Sequence, residues 1–462
     1  MRKFKRAAAV FAVLLILSGA FLFPASAEGV YAPNGEPQAE SVYIVNEDTG
    51  LVMYDKNGEE RLYPASLTKI MSAIVILETV QDLDGTVGTM TSELLAMIQG
   101  SGSVVLNLVE GEQITMRQML YAMLLASDGD AALLAAATTS GSVAAFVAAM
   151  NAKAAALGCT NTNFTNPHGL HDDNHYSCAK DLYLMAKEAL KYPVFSEIIN
   201  STRYTIPATN KNGPRTVVTT NMMLSYNLGG ALYYEPARGI KTGFTTPAGP
   251  CLASIAEKDG QRYVIIMLKS TLPGADGAVD RYGAFKTTKT LYDWLFSTYS
   301  LQTLLTRTTV VKSIPVNYGD SVDEVGLVPS QEFVTMVPKN TDLSSIVVKF
   351  DDALKDKTVD APVEAGAVIG SAELLIGDKS LGTVQLVAAN AVARNELSYI
   401  LAQIGKFFSS DIMIIIACIL AILIIGYIVL NVVYNRKKKS HYSSHKPAKR
   451  SRSRSRNRNI FR

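Results

Sequence analysis

Between Ile412 and Val433 the chain carries no charged residue. A helix rises about 1.5 Å per residue, so this run is about 33 Å long, enough for the roughly 30 Å hydrocarbon core of a bilayer. Arg436, Lys437, Lys438 and Lys439 follow at once, and the positive-inside rule assigns that side to the cytosol. The expectation is a transmembrane helix over 412–434 and a basic cytoplasmic tail over 435–462. The N-terminus has the layout of an export signal. Basic Met1-Arg2-Lys3-Phe4-Lys5-Arg6 precedes an apolar stretch from Ala7 to Phe23, then Pro24-Ala25-Ser26-Ala27. This reads as a signal peptide over 1–27 with cleavage after Ala27. Both ends agree: the intervening chain is expected on the extracytoplasmic face of the cell membrane, held by a single pass.

That topology changes the meaning of the net charge of +3. Four basic residues lie in the signal region and twelve in the tail, and neither segment holds an acid. The exported part then has 28 of the chain's 44 basic residues against all 41 acidic ones, a net charge of about −13. Such a surface does not attract nucleic acid. The Arg-Ser tail, Ser451 to Arg456, reads as a low-complexity topology signal or a contact for anionic lipid. Three exported cysteines, Cys159, Cys178 and Cys251, exclude a dense disulfide framework and read best as buried thiols, although a Cys159–Cys178 bridge is possible.

Periodicity divides the exported chain. After a leader over 28–40, strands at 41–46 and 51–54 flank the turn Asp48-Thr49-Gly50, and Asn57-Gly58 makes the next turn. Residues from about 82 to 200 are mainly helical. Thr115 is placed as the N-cap of a helix over 116–125, and Asp130 as the cap of the one after it. Strand character returns near 203–220 and continues around 238–244, 251–256 and 262–268, with Asp259-Gly260 as a hairpin turn. An amphipathic helix over 280–296 closes the region. The expected fold is α+β, an antiparallel sheet with helices plus a helical subdomain, over 41–302. A small β-rich domain over 308–390 follows. Leu397, Ile400, Leu401, Ile404, Phe407 and Phe408 share one face of an amphipathic linker over 391–411.

Three short patterns carry chemistry. In Pro64-Ala65-Ser66-Leu67-Thr68-Lys69, proline favours a helix start just beyond it, and the apolar run from Ile70 supplies the helix body. Positions i and i+3 share a helix face, which sets Ser66 beside Lys69. A serine hydroxyl needs a neighbour to take its proton, and lysine can do so where burial or a second cation lowers its pKa. Ser127 is expected on a loop between two helices, and Lys241-Thr242-Gly243 on a strand. His168, His171, His175 and Cys178 could be read as a metal cluster.

The set Ser66-x-x-Lys69, Ser127 and Lys241-Thr242-Gly243 resembles that of the serine D-Ala-D-Ala carboxypeptidases, the low-molecular-mass penicillin-binding proteins. The resemblance extends to Asp48-Thr49-Gly50, to the run from Asn166-Pro167-His168-Gly169-Leu170 to Tyr176, and to Gly239-Ile240-Lys241-Thr242-Gly243-Phe244-Thr245. It covers the chain from about 38 to 408, the β-rich domain included. It implies a penicillin-binding, transpeptidase-like fold and a peptidoglycan stem peptide ending in D-Ala-D-Ala as substrate. β-Lactam antibiotics would be covalent inhibitors, and membrane lipid would meet the anchor. It makes His168, His171, His175 and Cys178 loop-stabilising residues, with no metal or cofactor, and it implies roles. Ser66 would be the acyl-ester nucleophile, Lys69 the proton acceptor and Ser127 a proton relay. Lys241 would help keep Lys69 neutral by repulsion. Lys241 and Thr242 would hold the substrate carboxylate, with the backbone N–H groups of Ser66 and Phe244 as oxyanion hole. One position departs from the family. The usual Ser-x-Asn is Ser127-Asp128-Gly129 here, and the missing amide must be replaced by Asp128, Asp130 or another polar group, or turnover falls. The alternatives are a weakened or inactive cell-wall-binding homologue and a β-lactamase. The β-rich domain and the anchor speak against the latter.

Overall fold

The computed structural model describes residues 31–33 and 35–442. The expected signal peptide and the tail from residue 443 lie outside the described residues. These residues form two compact units. One runs to Val311 and takes in Leu327–Asp356 and Val368–Val387; the other holds Lys312–Gly326, Lys357–Ala367 and the chain from Ala388.

The first unit is an α+β layer structure, as the periodicity predicts. Five antiparallel strands form its main sheet: β1 (Ala39–Asn46), β2 (Val52–Lys56), β3 (Ala237–Thr245), β4 (Gly249–Lys258) and β5 (Gln261–Ser270), in the spatial order β2-β1-β5-β4-β3. Both expected hairpins are present, β1 to β2 and β4 to β5. Strand β5 is apolar almost throughout because both faces of the sheet are covered. Val264, Ile266 and Leu268 enter one core, while Tyr263, Ile265 and Met267 alternate into the other.

The first of these cores gathers α1 (Thr68–Thr79), α2 (Ser92–Ile98), α3 (Met116–Leu125), α4 (Gly129–Ser140), α5 (Val143–Ala156) and α6 (Ala179–Ala189). The second packs α7 (Gly283–Thr298) on the opposite face through Leu291, Tyr292 and Leu295. Helix α1 is the centre of the first core. Every residue from Thr68 to Ile76 is buried, and each large aliphatic side chain there contributes about 1.5–3 kcal/mol by leaving water. A helix enclosed on all sides holds its ends in fixed places, which is what the expected nucleophile Ser66 at its start would require.

Capping sets the next two helices. Thr115 caps α3 as expected, in a full capping box with Gln118. The expected cap of α4 is corrected. Asp128, not Asp130, occupies that position, its Oδ1 accepting from the Ala131 N–H at 2.7 Å. The helix begins two residues earlier than the Asp130 cap implies, because Gly129 already has helical geometry, and Asp130 turns its carboxylate to the Leu108 N–H at 3.3 Å.

Strands dominate from Tyr299 on. Within the first unit Tyr299–Leu305 pairs with Phe333–Pro338, and Val368–Ile376 pairs with both Ile346–Phe350 and Lys379–Ala388, all antiparallel. Within the second, Lys312–Asn317 runs parallel to Val359–Asp360. Helix α8 (Glu396–Phe408) is tied back by Tyr318, whose ring meets Tyr399 edge-on at 5.4 Å. Helix α9 (Asp411–Tyr442) follows. Among the described residues one helix, Asp411–Arg436, is long and apolar enough to cross a membrane, with mean hydropathy 3.3.

Candidate active site

Ser66 lies in a single 3-10 turn, Ala65–Leu67, that leads into α1. The turn is strained. Ala65 has φ +49°, in the left-handed region that costs a residue with a Cβ. A relay of hydrogen bonds holds it there. The Thr165 N–H donates to His175 Nδ1 at 3.1 Å, so Nδ1 is the acceptor nitrogen and Nε2 carries the proton. Nε2 is 2.7 Å from Thr68 Oγ1, which donates to the Ala65 carbonyl at 2.8 Å. Burial lowers His175 to about 4, so the ring is neutral near pH 7 and the relay keeps one polarity.

Lys69 is fully enclosed. Its Nζ is 3.2 Å from Ser66 Oγ and 2.5 Å from the His168 carbonyl. The i, i+3 spacing thus places serine and lysine side by side, as expected. Burial pulls Lys69 from 10.5 down to about 7, against the opposing pull of the Asp128 carboxylate. The expected repulsion between the two lysines is present, but it weighs on Lys241. That side chain is buried, and its pKa lies well below the usual range, first through burial and then through Lys69. Burial is therefore the main cause of the Lys69 shift.

Ser127 follows α3 with φ +64°, a second strained residue at the site. Ser66, Lys69, Ser127, Thr242 and Phe244 all line one cavity of about 620 Å³. Lys241 does not line it; its Nζ donates to the Thr242 carbonyl at 2.9 Å. Strand β3 approaches the Ser66 turn closely. A Cβ on Gly243 would lie 3.0 Å from the Pro64 carbonyl oxygen and 3.3 Å from the Ser66 nitrogen. Only glycine lets the backbone of β3 come this near. Gly243→Ala is expected to push the turn outward and slow acylation of Ser66 by about tenfold to a hundredfold, since displacements of this size misalign reacting groups. Stopped-flow acylation by a chromogenic β-lactam measures it, and circular dichroism checks that the variant stays folded.

Three contributors were not among the expected site residues. The His168 carbonyl reaches Lys69 across 99 positions of sequence. Thr220 Oγ1 is 2.6 Å from Thr242 Oγ1 and shares the cavity. Ser103 lines the same cavity from the loop after α2. The remaining members of the histidine–cysteine group serve structure. His168 Nδ1 accepts from the Leu170 N–H at 3.2 Å, and Cys178 caps α6. Cys159, Cys178 and Cys251 are free buried thiols, as expected.

A larger open groove of about 860 Å³ runs between residues 33–38 and α7. Its Lys286 is paired with Asp280 at 2.6 Å and its Lys339 donates to the Phe296 carbonyl at 2.8 Å. The expected site residues Ser66, Lys69, Ser127 and Thr242 line the smaller cavity.

The D-alanyl-D-alanine carboxypeptidase family, peptidase S11, matches residues 27–271, and the C-terminal domain of penicillin-binding protein 5 matches residues 299–394. The D-alanyl-D-alanine carboxypeptidase DacF of Bacillus subtilis (strain 168) is 33% identical over 336 residues, covering 72% of this chain and 80% of the relative. DacA of Escherichia coli (strain K12), also a D-alanyl-D-alanine carboxypeptidase, is 27% identical over 78% of this chain and 85% of its own length. Penicillin-binding protein 5 of Haemophilus influenzae superposes with a TM-score of 0.63 at 25% identity, over 79% of this chain and 100% of that one. The first match alone spans more than half of the sequence, and the chain belongs to the peptidase S11 family of D-alanyl-D-alanine carboxypeptidases.

Proposed function

We propose that this carboxypeptidase removes the terminal D-alanine of peptidoglycan stem peptides through an ester on Ser66. The observation that carries this reading is the buried Lys69 Nζ at 3.2 Å from Ser66 Oγ, in a cavity shared with Ser127 and Thr242. Ser66 Oγ attacks the carbonyl carbon between the two D-alanines while its proton passes to Lys69 Nζ. The oxyanion is held by the backbone N–H groups of Ser66 and Phe244, where one donor is worth about 2.7–4 kcal/mol. Ser127 passes a proton to the leaving amine, the C–N bond breaks and D-alanine departs. Water then cleaves the ester and restores Ser66. Thr242 and Thr220 present hydroxyls to the substrate carboxylate, and Lys241, which has no acid beside it, receives a countercharge when that carboxylate binds. A β-lactam opens on the same serine. Incubating the detergent-solubilised protein with a fluorescent penicillin, then mapping the adduct by mass spectrometry, tests this reading. Label on Ser66 supports it, and label on another residue overturns it. Rapid loss of label would favour β-lactamase chemistry, and no label an inactive wall-binding homologue.

The anchor is part of the same proposal. The helix over Asp411–Arg436 crosses the membrane with the catalytic unit outside and the basic tail inside. The apolar side chains of α8, among them Leu397, Leu401, Phe407 and Phe408, are exposed and reach the lipid surface. Protease added to intact cells is expected to digest the catalytic unit and spare an epitope placed after Arg462. Loss of that epitope with the membrane sealed reverses the orientation.

A further inference from the structure

Gly129 stands where the family has an asparagine, and the structure shows what fills the space. A Cβ built on Gly129 meets Ile98 Cδ1 and Ser103 Oγ, with Ser103 Cβ at 3.3 Å. The loop that brings Ser103 there is pinned at several points. The Gly129 N–H donates to the Val104 carbonyl at 2.8 Å, and the Leu108 N–H to Asp130 Oδ2 at 3.3 Å. Arg215 reaches the Leu106 carbonyl at 3.2 Å and pairs with Glu112, whose carboxylate is completely buried. Glu112 also accepts from the Val109 N–H, Thr209 and Asn212 at 3.1, 2.8 and 2.7 Å. Ser103 itself uses little of its hydrogen-bonding capacity. Its Oγ donates to the Val104 carbonyl at 3.2 Å, its N–H donates to Ser101 Oγ at 3.2 Å, and the lone pairs of its hydroxyl stay available to accept in the cavity that holds Ser66, Lys69 and Ser127.

We propose that Ser103 is the substrate-positioning hydroxyl of this site, seated in the space that a side chain at position 129 would occupy and bonding an amide of the bound peptide. The two acids beside Gly129 are committed elsewhere, Asp128 to the cap of α4 and Asp130 to the Leu108 N–H. A short side chain from one loop therefore replaces a longer one from the start of α4, and the two cannot share the seat. This inference rests on the acyl-enzyme reading of Ser66.

Four proteins test it: wild type, Ser103→Ala, Gly129→Asn and the double variant. Each is assayed for D-alanine release from a D-Ala-D-Ala peptide and for acylation by penicillin. Ser103→Ala is expected to lower kcat/KM about tenfold with an unchanged melting temperature, the size of one neutral hydrogen bond. Gly129→Asn alone is expected to gain nothing, because it displaces Ser103. In the Ser103→Ala background the same asparagine is expected to raise kcat/KM, since the seat is then free; a packing role for Ser103 does not produce that reversal. Ser103→Ala within twofold of an active wild type overturns the inference and leaves the Ser66 reading intact. So does an asparagine effect of the same sign and size in both backgrounds. A wild type that neither labels nor releases D-alanine overturns the Ser66 reading, and this inference with it.

Discussion

Ser66→Ala is expected to abolish penicillin labelling and to lower D-alanine release by at least about 10⁴-fold, the scale on which removal of a catalytic nucleophile acts. The fold is expected to survive. Ser66 is partly exposed, and its hydroxyl bonds only Lys69 among the described residues. The turn that carries it is held instead by Thr68 and His175 through the Ala65 carbonyl. Loss of activity without loss of structure separates a chemical role from a packing one. A variant retaining a tenth of wild-type turnover removes Ser66 from the mechanism.

The second large effect concerns Lys69. Only its neutral form can take a proton, and burial sets its pKa at about 7. Below that value the ammonium dominates, so kcat/KM is expected to fall tenfold per pH unit on the acid side and level off above about 7. Lys69→Arg is expected to cost about 10²–10⁴-fold at every pH, because a guanidinium stays protonated. Asp128, at the start of α4, is the charged group that acts on Lys69, while Lys69 itself weighs on His168, on the loop after α5, and on Lys241, on β3. Burial raises Asp128 itself to about 7, with Asp130 pushing the same way and the Ala131 N–H, Lys69 and Arg215 opposing, so its charge is present in full only above that value. The Asp128 carboxylate favours the ammonium. Asp128→Asn keeps a cap of equal quality and removes that charge. Its acid limb is therefore expected at lower pH than in wild type. A pH–rate profile measures both, and an unmoved limb in the asparagine variant assigns the titration to another group.

The parts of this site that a reader of the sequence can find are those with a short-range rule behind them. Ser66 and Lys69 meet because helix geometry brings i and i+3 together, and Lys241-Thr242-Gly243 lies on a strand with glycine where the backbone must come close. The hairpins, the Thr115 cap and the long apolar helix before Arg436 follow from equally local chemistry. What escaped has no local signal. A carbonyl such as that of His168 is the same atom at every position, so nothing in the sequence marks it as the acceptor for Lys69. Thr220 becomes a partner of Thr242 only once two distant segments pack. The cap of α4 went to Asp128 while the carboxylate of Asp130 accepts from the Leu108 N–H, a partner 22 positions upstream that no local pattern names. Gly129 was legible as a gap, but Ser103, from 26 positions upstream, was not legible as its filling.

The central claim is an ester on Ser66 on the path to D-alanine release. The detergent-solubilised full-length protein is mixed with a peptide ending in D-Ala-D-Ala, quenched in acid during turnover, digested and analysed by mass spectrometry, with free D-alanine measured in parallel. The account predicts D-alanine release together with a Ser66-containing fragment carrying the peptide less its final residue. D-alanine release with no such ester at Ser66, or with the ester on another residue, would contradict it.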